Sequence, residues 1–364
     1  MQNNNKSYAS QKHRIALIKI LFTPIILILF LIIGAPVYFS QLSAQITGNL
    51  SINLVFFYLI TGAIYYMISF PLEYYSGFKL EHKYSLSNQA FKDWFIHEVK
   101  KGIVCFIVGI PFIFSVYSSL RFWPLHWWLI TALLWFFMSV LLAKFAPILI
   151  IPLFYKYSPI KDAELKNRLI QLAEKAGFAA KGVYVINISR DTKKANAALI
   201  GMGRQKRIVL CDTLFGNFND GEIESIMGHE LGHHKNKHLL KLVLFGGAST
   251  VLTFFITNVL FLHFHSVFGY TLLCDFESLI LIYAILSVLN ILTLPIHNAF
   301  SRKLEKEADL FTLKITKDKE AFISTMNKLA IQNLSDPDPG KFYEILLYNH
   351  PPISRRISFA KSLS

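Results

Sequence analysis

The chain has 364 residues, of which 53% are hydrophobic and 15% aromatic, and 37 Lys and Arg against 23 Asp and Glu leave a net charge of +14. Only 16% are charged, against about 25% in soluble domains, so the composition excludes an ordinary soluble protein and intrinsic disorder alike. A basic balance points to nucleic acid in a polar chain, but in an apolar one it marks loops held on the cytoplasmic side of a bilayer.

Six apolar stretches, at residues 15–39, 52–72, 103–120, 127–154, 242–264 and 279–300, reach the length of about 18 residues that can cross a hydrocarbon core. Six buried core helices of that length in one chain, several flanked by Trp and Tyr, are the weaker alternative. The segments 1–14, 73–101, 155–238 and 301–364 hold 33 of the 37 basic residues. The opposite side receives 40–51 without charge, a turn carrying Arg121, and 265–278 with only Asp275 and Glu277. An even number of crossings puts both termini and the large polar segments in the cytoplasm. Lys19, Lys144 and Lys241, near segment ends, are expected to snorkel, with a polar cavity as the other place for Lys144. The first stretch is too long for the roughly 7–15-residue core of a cleaved signal and reads as an uncleaved anchor. Cys105 in a span, Cys211 inside and Cys274 outside form no disulfide framework.

The chain thus divides into a membrane region, 1–154, with four spans and an inner loop at 73–101, and a second region, 155–364, with two further spans. Between the fourth and fifth spans, 162–176 is amphipathic, with Leu165, Leu169, Leu172 and Ala176 on one face, and Gly177 ends that helix. A β-branched strand follows at 183–188. Residues 195–201 and 207–210, separated by 202–206, then read as a hairpin. Asn219 with Glu222 three positions later is a capping signature. The helix it opens has the option of running straight into the fifth span, with Gly246-Gly247 as the place for a bend.

That helix carries His229-Glu230-Leu231-Gly232-His233. A spacing of four stacks both imidazoles on one face, where they can hold the same ion, and sets Glu230 beside the metal within reach of water rather than of the ion. A catalytic zinc wants a third protein ligand and an open position. The pattern with a third His ten residues after the first fails, because that position is Leu239. Glu305 and Asp309, on a helix beyond the sixth span, share a face, whereas Glu307 points about 200° away. Glu305 is therefore assigned to zinc, Asp309 to the free ring N–H of a ligand His, and Glu307 to solvent. His234 and His238 compete as ligands but match the pair less well, and read as surface histidines.

These residues together resemble the type I CAAX prenyl protease family of integral-membrane zinc metalloproteases. The resemblance lies in residues 227–233 and 301–309 and in Asn196-Ala197 with 206–214. It extends to His350-Pro351-Pro352 with Arg356, and to the inner loop 80–101 with Glu81-His82-Lys83-Tyr84 and Asn88-Gln89. It implies a mainly α membrane protein of about six transmembrane helices, with a zincin-like α+β catalytic domain on the cytoplasmic side and a small edge-strand hairpin. It implies one zinc per chain on His229, His233 and Glu305, and a zinc-activated water with Glu230 as general base. Asp309, His350 and Arg356 join the catalytic set, and Asn196, Ala197, Ala198 and Leu199 form an edge to which a peptide adds by backbone pairing. The substrates implied are C-terminal CAAX-type prenylated peptides or other membrane-associated ones, with the lipid bilayer as the remaining partner and no nucleic acid. Family members usually have seven membrane helices around a large chamber, and this chain begins near the second. The related HtpX-type quality-control proteases share the zinc motifs but lack the inner loop. From another class, a transporter with structural zinc would use Asn258, Asn290 and His297 as polar membrane residues.

The charge asymmetry makes a direct prediction. A reporter active only in the cytoplasm is expected to work when fused to the C terminus and to fail when inserted within 40–51; the reverse result would invert the topology.

Overall fold

The structure is a computed structural model and describes residues 2–201 and 206–363; most of the predicted hairpin turn, at 202–205, lies outside the described residues. Helix α1 (Gln2–Ile32) is followed by a short α2 (Ala35–Ala44), then α3 (Leu50–Tyr74), α4 (Leu80–Lys83), α5 (Phe91–Phe122) and α6 (Trp127–Leu149). The first predicted span is thus broken. Gly34 adopts φ 71 and Pro36 follows at once, so the chain turns between α1 and α2 instead of continuing to residue 39. The predicted N-terminal tail is itself helical.

Strand β1 (Tyr157–Pro159), α7 (Ala163–Lys175) and β2 (Ala180–Ile186) come next, followed by β3 (Ala197–Ile200) and β4 (Lys206–Cys211). The strand order is β1-β2-β4-β3, with β2 and β4 parallel and β3 antiparallel to β4 in the register Ala197 to Leu210 and Leu199 to Ile208. The predicted hairpin therefore forms, with β3 at the sheet edge. The last helices are α8 (Asp220–Lys235), α9 (His238–Val267), α10 (Phe276–Thr316), α11 (Lys319–Gln332), α12 (Lys341–Leu347) and α13 (Ile353–Ser362).

Among the described residues, six helical segments are long and apolar enough to cross a membrane: Asn5–Ile32, Leu50–Lys83, Phe91–Phe122, Trp127–Leu153, His238–Val267 and Phe276–Thr316. A cavity of ≈ 820 Å³ lies among α1, α6, α9 and α10, its wall including Ser249, Asn290 and His297. Lys19 also lines it and pairs with Glu73 at 2.7 Å; it is tied to a carboxylate, where snorkelling was expected. Lys241 likewise pairs with Glu307, at 2.8 Å. Asn258 accepts a hydrogen bond from Trp127 Nε1 at 2.7 Å and braces α9 against α6.

Helix α8 is capped as predicted, Asn219 accepting from the Glu222 N–H while Glu222 accepts from the Asn219 N–H. Ser324 and Lys328 of α11 also donate to the Glu222 carboxylate. One face, Ile223, Met227 and Leu231, is buried against Leu165 and Leu169 of α7 and against Leu199, Ile208 and Leu210 of the sheet. The opposite face meets α10 at glycines. A Cβ on Gly232 would lie 3.0 Å from both Cα and O of Ala308, and one on Gly228 would lie 3.0 Å from Thr312 Cγ2. The helix does not run on into α9. It stops at Lys235, and Lys237 at φ 53 turns the chain. Gly246 and Gly247 lie inside α9, where Gly247 gives room to the Phe136 ring, 2.7 Å from its would-be Cβ.

Gly232→Ala is expected to force α8 off the α10 backbone at a cost of roughly 1–3 kcal/mol, whereas Gly246→Ala, inside α9 with nothing within 4 Å, leaves the melting temperature in detergent unchanged or raises it slightly. Equal melting of the two variants would mean that the helices do not meet at this distance.

Candidate metal centre

The capping box fixes where α8 starts and the two glycines fix how close it comes to α10, so the imidazoles of His229 and His233 face the carboxylates of Glu305 and Asp309. His229 Nε2 and His233 Nε2 are 3.1 Å apart. Glu305 brings Oε2 to 3.0 Å from His229 Nε2 and Oε1 to 3.3 Å from His233 Nε2. Such separations match the edges, about 3.3 Å, of a tetrahedron with ligands about 2.0–2.1 Å from a zinc ion. Glu305 Oε2 is buried and accepts no well-directed hydrogen bond among the described residues. An unpartnered carboxylate oxygen aimed at two ring nitrogens is a donor set suited to a cation.

His350 closes the outer side, its Nδ1 2.7 Å from Glu305 Oε2 and its side chain half exposed. Its placement follows from α12. Asn298 donates to the Leu346 carbonyl at 2.7 Å and Arg302 to the Tyr348 carbonyl at 2.6 Å, so α10 itself holds the segment leading to His350. His229, Glu305 and His350 could together hold a metal, and His233 reaches the same point.

Behind the cluster, His229 Nδ1 donates to Asp309 Oδ1 at 2.9 Å. Arg356 grips Asp309 with both prongs, Nε to Oδ2 at 2.8 Å and Nη2 to Oδ1 at 2.6 Å. Helix α13 delivers Arg356 by packing Ile357 and Ala360 on Phe322 and Met326 of α11. The guanidinium is therefore engaged with Asp309, one step behind the imidazoles, and not free on the outer face. Burial works against a charged His229, but Asp309 and Glu305 outweigh it and push its pKa up to about 9. The pocket thus stabilises positive charge at the imidazole. Glu230 forms no hydrogen bond or ion pair among the described residues, and burial raises its pKa against the opposing pull of His229 and His233.

Two sequence expectations are corrected here. Glu307 does not face solvent alone: its Oε2 accepts from His238 Nε2 at 3.1 Å and from Lys241 Nζ at 2.8 Å. His238 is no surface residue but fully buried, 1% exposed, with its Nδ1 3.0 Å from His233 Nδ1. His234, half-buried, reaches the Leu199 carbonyl at 3.2 Å.

Strand β3 runs beside α8. Asn196 O accepts from Cys211 N at 3.1 Å, so the alternation of antiparallel pairing turns the backbone groups of Ala197 and Leu199 away from β4 to the open edge. Asn196 is exposed there, and its Oδ1 accepts the Ala197 N–H at 2.9 Å. Ala198 pairs with Val209 on the inner side.

Comparison with known proteins gives the family and the fold. Residues 159–364 match Peptidase family M48, and residues 2–156 match the CAAX prenyl protease N-terminal domain, described as five membrane helices. Four of the candidate spans lie in that second range. The chain is 32% identical over 323 residues to the uncharacterized metalloprotease YhfN of Bacillus subtilis, covering 85% of this chain and 74% of that protein. It is 27% identical over 311 residues to CAAX prenyl protease 1 of Saccharomyces cerevisiae, covering 80% and 68%. The crystal structure of S. mikatae Ste24p superposes with a TM-score of 0.85 at 24% identity, over 98% of this chain and 87% of that one. Fold and site together define an integral, multi-pass membrane metalloprotease. The chain belongs to Peptidase family M48.

Asp309→Asn keeps an acceptor for His229 but removes the charge facing Arg356. It is expected to weaken metal binding roughly 10- to 100-fold, as loss of such outer partners does, in competition with a chromogenic chelator; an unchanged affinity would remove Asp309 from this role.

Proposed function

We propose that the protein is a zinc metalloendopeptidase that cleaves membrane-associated peptides near their C termini, CAAX-type prenylated ones foremost. One observation carries the reading: His229, His233 and Glu305 converge within about one ligand-to-ligand distance, while the neighbouring Glu230 has no partner among the described residues. Zinc bound there would supply Lewis acidity, lowering the pKa of water and polarising the scissile carbonyl.

The chain's own groups do the rest. A peptide strand adding to β3 would pair with the backbone of Ala197 and Leu199 and draw its scissile bond alongside α8. Glu230 takes the proton of the attacking water and returns it to the leaving amine, and its raised pKa suits it to both transfers. His350, on the outer side of Glu305, is placed to donate to the oxygen that gains charge as the carbonyl is attacked. Asp309, clamped by Arg356, keeps His229 in the tautomer whose Nε2 lone pair would be free to hold the ion.

A lipid-anchored substrate fits the position of the site. Helix α10 runs without a break from the cavity wall at His297 to Glu305, a rise of about 12 Å, so a substrate with one end in the bilayer can bring its peptide to the ligands. The names of the relatives in S. cerevisiae and Caenorhabditis elegans, CAAX prenyl proteases, favour prenylated cysteine motifs. The basic segments described above support a cytoplasmic site. A second reading, cleavage of unprenylated membrane-protein peptides in quality control, draws on the polar side chains set into the mainly apolar cavity wall, among them Ser139, Thr250 and Asn290.

Purified wild type is expected to contain one zinc per chain and to cleave a prenylated peptide faster than its unprenylated twin. Glu230→Ala should keep zinc and lose roughly 10²–10⁴-fold in rate, and Glu305→Ala should lose metal and activity together. Activity surviving in Glu230→Ala would end its role as base, and equal rates on the two peptides would replace the prenyl reading by the second one.

A further inference from the structure

His229 and His233 are served by different partners, and those of His233 come from the start of a membrane-spanning helix. Helix α8 ends at Lys235, Lys237 takes the left-handed conformation at φ 53, and α9 begins at His238. The turn carries His238 back beneath the helix it has just left. Its ring meets that of His233 edge to face, with centroids 5.0 Å apart, and its Nδ1 lies 3.0 Å from His233 Nδ1. On the far side His238 Nε2 lies 3.1 Å from Glu307 Oε2, and Lys241 Nζ, one turn further along α9, holds the same oxygen at 2.8 Å.

With both imidazoles neutral, hydrogen-bond bookkeeping allows one placement of protons along this chain. Two imidazole nitrogens 3.0 Å apart need a single proton between them, and a carboxylate held by Lys241 can only accept. His238 therefore carries its proton on Nε2 and gives it to Glu307, which leaves the Nδ1 lone pair to accept from His233. His233 then has its proton on Nδ1, and Nε2 bears the free lone pair, on the side where His229 Nε2 and Glu305 Oε1 lie 3.1 and 3.3 Å away. The opposite tautomer of a neutral His238 would set its Nε2 lone pair against a carboxylate oxygen.

We propose that His238, anchored by Glu307 and Lys241, is the positioning residue for His233, selecting its tautomer and ring orientation as Asp309 and Arg356 do for His229. The inference rests on the reading of His233 as a zinc ligand and extends it. It also gives the conformation of Lys237 a purpose, since a helix continuing through residues 236–237 would turn His238 about 140° from His233.

The test measures zinc rather than turnover. Zinc affinity of the full-length protein in detergent is determined by chelator competition for wild type, His238→Ala, His238→Asn and Glu307→Ala, with melting of the metal-free forms as a check on folding. His238→Ala is expected to bind zinc roughly 10- to 100-fold more weakly. His238→Asn, whose amide oxygen can stand in for Nδ1, should recover most of that loss. Glu307→Ala, which removes a half-exposed side chain and no packing around His233, should lose roughly 3- to 10-fold and is the deciding arm, including where His238→Ala does not fold. Wild-type affinity in Glu307→Ala overturns the proposal and leaves His238 a packing residue. Full zinc retention by His233→Ala would instead overturn the ligand assignment itself, which separates the two failures.

Discussion

The chemistry of this protein depends on how closely two helices approach. His229 and His233 are on α8 and Glu305 and Asp309 on α10, so no ligand set exists unless these helices touch. The contact is made backbone to backbone at Gly232 and Ala308, with Gly228 against Thr312 one turn earlier. Ala308 and Thr312 are themselves fully buried, and the Thr312 hydroxyl is satisfied by the Ala308 carbonyl at 2.9 Å. The glycine inside the His-Glu-Leu-Gly-His run thus serves packing and leaves the chemistry to its neighbours.

Bringing two carboxylates and two imidazoles out of water is costly unless each charge is met. Asp309, 1% exposed, is met by a bidentate Arg356 and by His229. Glu305 is met by imidazoles alone, with one oxygen left without a well-directed donor. The two carboxylates are therefore not equivalent: the first is already neutralised by protein, and the second keeps its charge directed at the point where His229 and His233 converge. Arg356 thus neutralises Asp309, and Glu305 with the imidazoles is the donor set left to meet a cation.

Spans and ligands were legible in the sequence to the extent that each depends on local periodicity. Uncharged stretches of span length survive whatever packs against them, and the i, i+4 spacing of His229 with His233 and of Glu305 with Asp309 puts each pair on one face. What depended on a break in that periodicity was not legible. The break after Ile32 and the turn at Asn236 and Lys237 each end a run that composition alone would continue. Lys237 takes a positive φ with no glycine to announce it. His238 was consequently read as if α8 continued, and its partner Glu307 as solvated. The turn of 200° correctly takes Glu307 off the face of Glu305 but says nothing of what lies on the other side. Gly246-Gly247 misled in the opposite sense, because glycine marks a close approach as readily as a bend, and here Phe136 occupies the space. His350 and Arg356 carried no signal of their own, since their partners lie 45 and 47 positions back along the chain.

The edge strand is attached to the membrane part by a route that bypasses α10. Glu81, in α4, which a π-helical turn (Tyr75–Lys79) joins to α3, is buried and bonded to Lys12 and Tyr8 of α1 and to Lys194, which lies two residues before Asn196. Next to it, Leu86 accepts the Lys193 N–H at 2.9 Å and Asn88 donates to the Ser189 carbonyl at 2.8 Å, so the inner loop pairs with the segment leading into β3. The candidate ligands are thus carried by α8 and α10, while the strand beside them is tied as well to α1 and to the extension of α3. A buried carboxylate held by two lysines is rigid only while all three groups stay in register, so Glu81 ties the position of α1 to that of the segment entering β3. The site and the edge strand beside it are thus tied to the membrane helices by two routes, one through α9 and α10 and one through α1 and the extension of α3.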